Sequence, residues 1–205
     1  MFTKPKAVSL PKLHSIHTTP SGKEFVGTIE SSQISKSGQS QKQVFQFRYT
    51  PVSAAIDDWR LVLTGKVTIT PPVGSPRTIS GVRAKLLATQ GATTLAPTVP
   101  AGIDPKLVAP AQVSSNGLPL TEYTGNDGSI GVMFLKLSPL NSTQAGLPFD
   151  LRDVQLNARL WMNSNLEREL LWLYSALLMA TQGPRADDRW ATGCLAELNK
   201  RLVSA

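Results

Sequence analysis

Few residues in this chain stand in patterns that chemistry requires. His14 and His17 are spaced like a ligand pair. A zinc centre needs three or four rigid ligands, however, and the other candidates are carboxylates far off in sequence. In a polar, proline-containing stretch the two histidines read as solvated imidazoles. Asp57-Asp58 supplies adjacent carboxylates. Neighbours on an extended chain point oppositely, so a turn or helix start before Trp59 explains the pair better than acid–base work. Asp187-Asp188 suits the start of a final helix in the same way. Cys194 is the single cysteine and lies among leucines. It reads as a small packing residue, and alone it excludes an internal disulfide or a multi-cysteine metal site. Asn141-Ser142-Thr143 matches a glycosylation acceptor, which would need a secretory signal to be used. No Gly-x-Ser-x-Gly elbow, phosphate loop, dinucleotide fingerprint or Cys-His dyad occurs. The expectation is a protein that is not an enzyme and takes neither metal nor cofactor.

What remains is cationic. Twenty-one Lys+Arg against 14 Asp+Glu give +7 over 205 residues. Most of the excess falls early: Lys4, Lys6, Lys12, Lys23, Lys36, Lys42 and Arg48 face only Glu24 and Glu30 in the first fifty residues. Lysines in a mobile segment can neutralise phosphates of RNA or of an anionic lipid surface. Residues 1–22 combine them with prolines and lack a periodic apolar face, so they read as a flexible basic arm. Lys4, Lys6, Lys12 and Lys23 are the anion-binding candidates there. A second group, Arg77, Arg83 and Lys85, has no acidic residue between its members.

These residues need elements to hold them. With 41% hydrophobic residues, 23–205 is enough for one domain with a substantial core. No apolar run approaches the ~18 residues of a spanning helix, and the first residues lack the apolar stretch of a secretory signal. An intracellular, soluble chain is expected.

Strands are predicted at Val44–Tyr49 and, more clearly, at Arg60–Thr70, where Leu61, Leu63, Val67 and Ile69 share a face. Gly65 inside the second marks a bulge or a close neighbour. Ser75 then caps a predicted helix with Pro76 at its first position. Ile79, Val82 and Leu86 form its inner face, Arg77, Arg83 and Lys85 its basic outer face, and Gly91 ends it. Ser129–Leu137 reads as a buried strand, and residues 153–163 alternate cleanly. Ser164-Asn165-Leu166-Glu167 is a capping box opening a leucine-rich helix to about Thr181, and a last helix starts at Asp187 or Asp188. The fold class is therefore α+β: central antiparallel β-structure, one basic helix after an early strand, and a C-terminal helical hairpin.

Between lies a proline-rich loop at about 92–128, too long for an ordinary connection. Pro97, Pro100, Pro105 and Pro110 stiffen it, and Trp161 breaks the polar face of the cleanest strand. An exposed segment of this kind suits self-association, with the loop of one subunit on a surface of the next.

The block from Leu63-Thr64-Gly65-Lys66 through Pro71-Pro72 to Arg77–Leu87, followed later by Leu147-Pro148-Phe149-Asp150 and an alternating strand, resembles rhabdovirus matrix proteins. The match covers about a third of the chain. The Pro-Pro-x-Tyr and Pro-(Thr/Ser)-Ala-Pro signals usual in animal-virus members are missing. The resemblance implies a virion structural protein, in host cytoplasm and peripheral to membrane, that self-associates and bridges nucleocapsid and anionic membrane. An RNA-binding viral coat or movement protein is the alternative, since a basic arm leading into a β domain suits packaged RNA.

Overall fold

The computed structural model describes residues 10–34, 40–90, 102–104, 131–143, 145–160, 164–182 and 188–204. Among these residues seven strands precede two helices. They are β1 (Ser15–Ser21), β2 (Glu24–Ile34), β3 (Ser40–Asp57), β4 (Arg60–Thr70), β5 (Arg77–Gln90), β6 (Gly131–Leu137) and β7 (Gln155–Leu160), then α1 (Asn165–Gln182) and α2 (Asp188–Ser204). The strands close into a barrel in sequence order. Each neighbours the next antiparallel, so the first and last of an odd number run the same way. Closure through β1 and β7 is accordingly parallel, from Ser15 opposite Gln155 to Thr18 opposite Ala158. Closure removes the exposed edges an open sheet would leave.

This overturns the expected α+β sheet with a basic helix after an early strand: Arg77–Gln90 is barrel strand β5. The reason lies at Gly81. Val82 sits opposite Gly65 and Ser80 opposite Lys66, so Gly81 is an extra residue, with φ of 71°. Such a bulge resets which residues point inward. Ile79 before it and Val82 after it both face the core, and the three-residue step between them imitates a helical one. From Val82 onward, Val82, Ala84 and Leu86 alternate as a strand does. The expected C-terminal helix pair is present as α1 and α2.

Other boundaries shift for similar reasons. Residues 15–21, assigned to the arm, are wall strand β1, with Ile16 and Thr18 buried. β3 continues through Pro51, where the pairing shifts register, because a bulge tolerates a residue without an N–H. Gly65 stands opposite register shifts on both neighbouring strands and is a close neighbour of β3: a Cβ there would stand 2.2 Å from the Thr50 carbonyl oxygen.

Inward positions fill the barrel with Phe25, Ile29, Phe47, Tyr49, Leu63, Ile69, Met133, Leu135 and their neighbours. The β6–β7 connection closes one end, burying Leu140, Leu147, Phe149 and Leu151, with Phe149 edge-on to Phe45 at 5.1 Å between centroids. Helix α1 closes the other. It is buried on every side from Leu170 to Leu178, as a helix wedged between a barrel end and a second helix must be. The capping box forms as expected: Glu167 N–H donates to Ser164 Oγ at 3.2 Å, and Ser164 N–H to Glu167 Oε2 at 3.2 Å. Gly22 N–H also donates to Glu167 Oε1 at 3.0 Å, tying α1 to the β1–β2 turn.

Candidate anion-binding end of the barrel

In an up-and-down barrel, alternate connections gather at each end. The β1–β2 and β3–β4 turns lie with the helices. The β4–β5 and β6–β7 connections lie at the helix-free end, where residues 10–14 lead into β1. Residues 11–14 run alongside the β6–β7 connection there. Leu13 N–H donates to Asp150 O at 3.0 Å, Asp150 N–H to Pro11 O at 2.8 Å, and Gln155 N–H to His14 O at 3.0 Å.

This backbone pairing sets Lys12 on the rim. An open cleft of about 530 Å³ is lined by Leu10, Lys12, Asn141, Ser142, Asp150 and Arg152 among others. On the other side of Asn141, a cleft of about 470 Å³ is lined by Arg77, Thr78, Ile79 and Ala145 with Pro76. Lys12 and Arg77 thus flank the segment at Asn141. Arg77 stands opposite Ile69 at the first rung of β5, where inward parity meets solvent, so it is exposed.

The carboxylates at this end already have partners. Arg152 donates from Nε and Nη2 to Asp150 Oδ2 at 2.9 and 2.7 Å. These bonds, the Arg152 backbone N–H and the nearby charges of Arg152 and Lys12 hold the Asp150 carboxyl below the usual carboxylate range. Asp153 is lowered likewise, chiefly by its hydrogen bond from Lys136. Among the described residues, neither Lys12 nor Arg77 forms an ion pair. The end therefore keeps a positive excess, with Asn141, Ser142 and Thr143 beside it as polar lining.

The other predicted cations lie elsewhere. Arg83 pairs with Asp57, and Lys85 Nζ lies 3.6 Å from Asp58 Oδ2, both at the β3–β4 turn of the helical end. Lys23 Nζ donates to Leu202 O at 2.8 Å, near the carboxyl end of α2, where a cation complements the helix dipole. So Arg77, Arg83 and Lys85 do not make one face. Lys4, Lys6, Pro97, Pro100, Pro105, Pro110 and Trp161 lie outside the described residues. His14 lines a smaller cleft with Lys12 and Arg152, while His17 is exposed on β1.

Sequence reasoning missed Arg152 and read Asn141 only as part of a glycosylation acceptor; both sit in a connection without periodicity. It also missed Trp59. Asp58 and Trp59 form the two-residue β3–β4 loop, both with positive φ (51° and 54°), and the Trp59 side chain is exposed. No family model, curated protein or solved structure matches this chain.

Proposed function

We propose that this chain is a structural assembly protein of matrix type, whose helix-free end docks on phosphate-rich surfaces: a viral nucleocapsid and an anionic membrane. The observation that carries this reading is the positive charge of Lys12 and Arg77 around Asn141, unpaired among the described residues. The barrel interior is packed with side chains, so its surface is what it offers a partner. Among the described residues the exposed aromatic, Trp59, stands at the opposite end from these cations. Stacking and phosphate contact are thus kept apart, whereas single-stranded RNA binding combines them in one groove. That separation favours a phosphate surface over naked RNA.

The test is binding at rising salt to phosphatidylserine vesicles and, separately, to a single-stranded RNA. The K12E/R77E variant should lose most vesicle binding at low salt while keeping its thermal transition. Unchanged vesicle binding would overturn the reading. RNA binding that is tighter than vesicle binding and falls more steeply with salt would favour the coat or movement protein.

A further inference from the structure

A two-residue hairpin loop with positive φ at both positions suits Asn-Gly or Asp-Gly. Here Asp58-Trp59 occupies it, and an aromatic side chain in that backbone region is unfavourable. Trp59 is 59% exposed and makes no hydrogen bond or ring contact among the described residues. Strain at a conspicuous side chain with no partner among the described residues points to a partner outside them. Around the indole, charges are balanced in kind: Asp57 and Asp58 on the hairpin, Arg83 and Lys85 on the neighbouring strand β5. All four are substantially solvated, with side-chain exposures of 56%, 83%, 53% and 38%.

We infer that the β3–β4 hairpin tip is a self-association surface, and that its occupant is the same tip of a second copy. A two-fold contact must be self-complementary, each residue meeting on the partner what its partner meets on it. Two carboxylates and two cations beside a central aromatic meet that requirement: Trp59 packs on its counterpart while Asp57 and Asp58 exchange ion pairs with the partner's Arg83 and Lys85. The contact is small, so association is weak and concentration-dependent. It lies at the helical end, so the dimer carries a cationic end at each pole. Two phosphate-rich surfaces can then be held by one dimer, which deepens the assembly reading and rests on it.

Sedimentation across a concentration series tests the contact without any anion present. The wild type should show a reversible monomer–dimer equilibrium. W59G, which suits the backbone of the turn and so folds, should weaken it by about tenfold or more, as loss of a central aromatic does. D57K/D58K and R83E/K85E should each stay monomeric alone and dimerise when mixed, because each makes the tip one sign of charge. A wild type that stays monomeric throughout, a W59G that associates like the wild type, or charge variants that do not pair on mixing would each overturn the inference. K12E/R77E should still dimerise, so failure of the anion-binding reading is seen separately from failure of this one.

Discussion

At the scale of the residue, Gly65 shows how one position can be required by geometry. Its missing Cβ makes room for the Thr50 carbonyl oxygen at 2.2 Å and for Pro51 Cα at 2.8 Å, both backbone atoms that cannot swing aside. G65A should therefore destabilise the barrel by roughly 2–4 kcal/mol, read as a lower denaturant midpoint with an unchanged slope. A destabilisation under about 0.5 kcal/mol would mean that β3 at Thr50 and Pro51 yields more easily than its pairing with β4 implies. This glycine was legible in sequence because it interrupts an otherwise alternating strand. Trp59 was not: no local pattern marks an aromatic at a left-handed turn position, since turn chemistry would place glycine there. Arg152 was hidden for another reason. Its role depends on Asp150 and on Lys12, which lies far off in sequence and comes to the same rim only through backbone pairing. Cation identity could be read early, but which cations stay unpaired could not. Arg83 and Lys85 looked free because Asp57 and Asp58 are more than twenty residues away.

At the scale of the element, α2 covers an edge that the barrel leaves open. The pairing of β3 with β2 runs from Ser40 to Tyr49, while its pairing with β4 continues to Asp57. Beyond Tyr49, β3 has peptide groups on the β2 side without a strand to meet them. Asn199 of α2 meets them as a strand would: Ala54 N–H donates to Asn199 Oδ1 at 2.7 Å, and Asn199 Nδ2 donates to Ala54 O at 2.9 Å. N199A should cost about 1–3 kcal/mol, because it leaves a donor and an acceptor of Ala54 unmet at once. K200A, one residue along on the exposed face, should stay within about 0.5 kcal/mol of wild type. Equal effects from the two would show that α2 contributes by packing alone. Helix α1 was legible because a capping box and leucine periodicity agree with each other, and α2 because leucines recur at helical spacing after Asp187-Asp188. β5 misled because a bulge at Gly81 turns an alternating strand into a three-residue step, and Pro76 after a serine completes the imitation of a helix start. Local pattern reports the spacing of inward residues; it cannot say whether a helix or a bulge produced that spacing.

At the scale of the whole molecule, barrel closure was beyond local reading. It depends on β1 meeting β7 across some 140 residues of chain, and β1 itself is a short polar strand with only Ile16 and Thr18 turned inward. Once closed, the core joins barrel and helices into one cluster, and three buried acidic protons report on it from three elements. Tyr49 on β3 has its hydroxyl 3.1 Å from Leu63 O and 3.2 Å from Val82 O, and burial raises its ionisation well above 10.0, with the neighbouring Tyr174 adding to the shift. Burial raises Tyr174 on α1 in the same direction, and pushes the Cys194 thiol on α2 from 9.0 to about 12. Each group is neutral in the folded state and ionises more readily when unfolded. The raised pKa therefore contributes stability that is complete below the unfolded value and is lost as pH rises through the folded one. Cys194 begins this loss above pH 9.0, at about 1.4 kcal/mol per pH unit, and the two tyrosines join above pH 10.0. By about pH 11 these losses sum to roughly 5 kcal/mol, comparable to the lower range of domain stabilities. In a Y123F background, whose remaining tyrosines are Tyr49 and Tyr174, unfolding on titration with base should thus be a single cooperative transition, followed equally by far-ultraviolet circular dichroism and by tyrosinate absorbance. C194A should make the decline between pH 9 and 10 shallower than in the wild type, since that part belongs to the thiol alone. In that Y123F background, tyrosinate absorbance that rises with pH while the helical signal persists would mean that barrel and helices open separately, and that α1 does not seal the end of the barrel in solution.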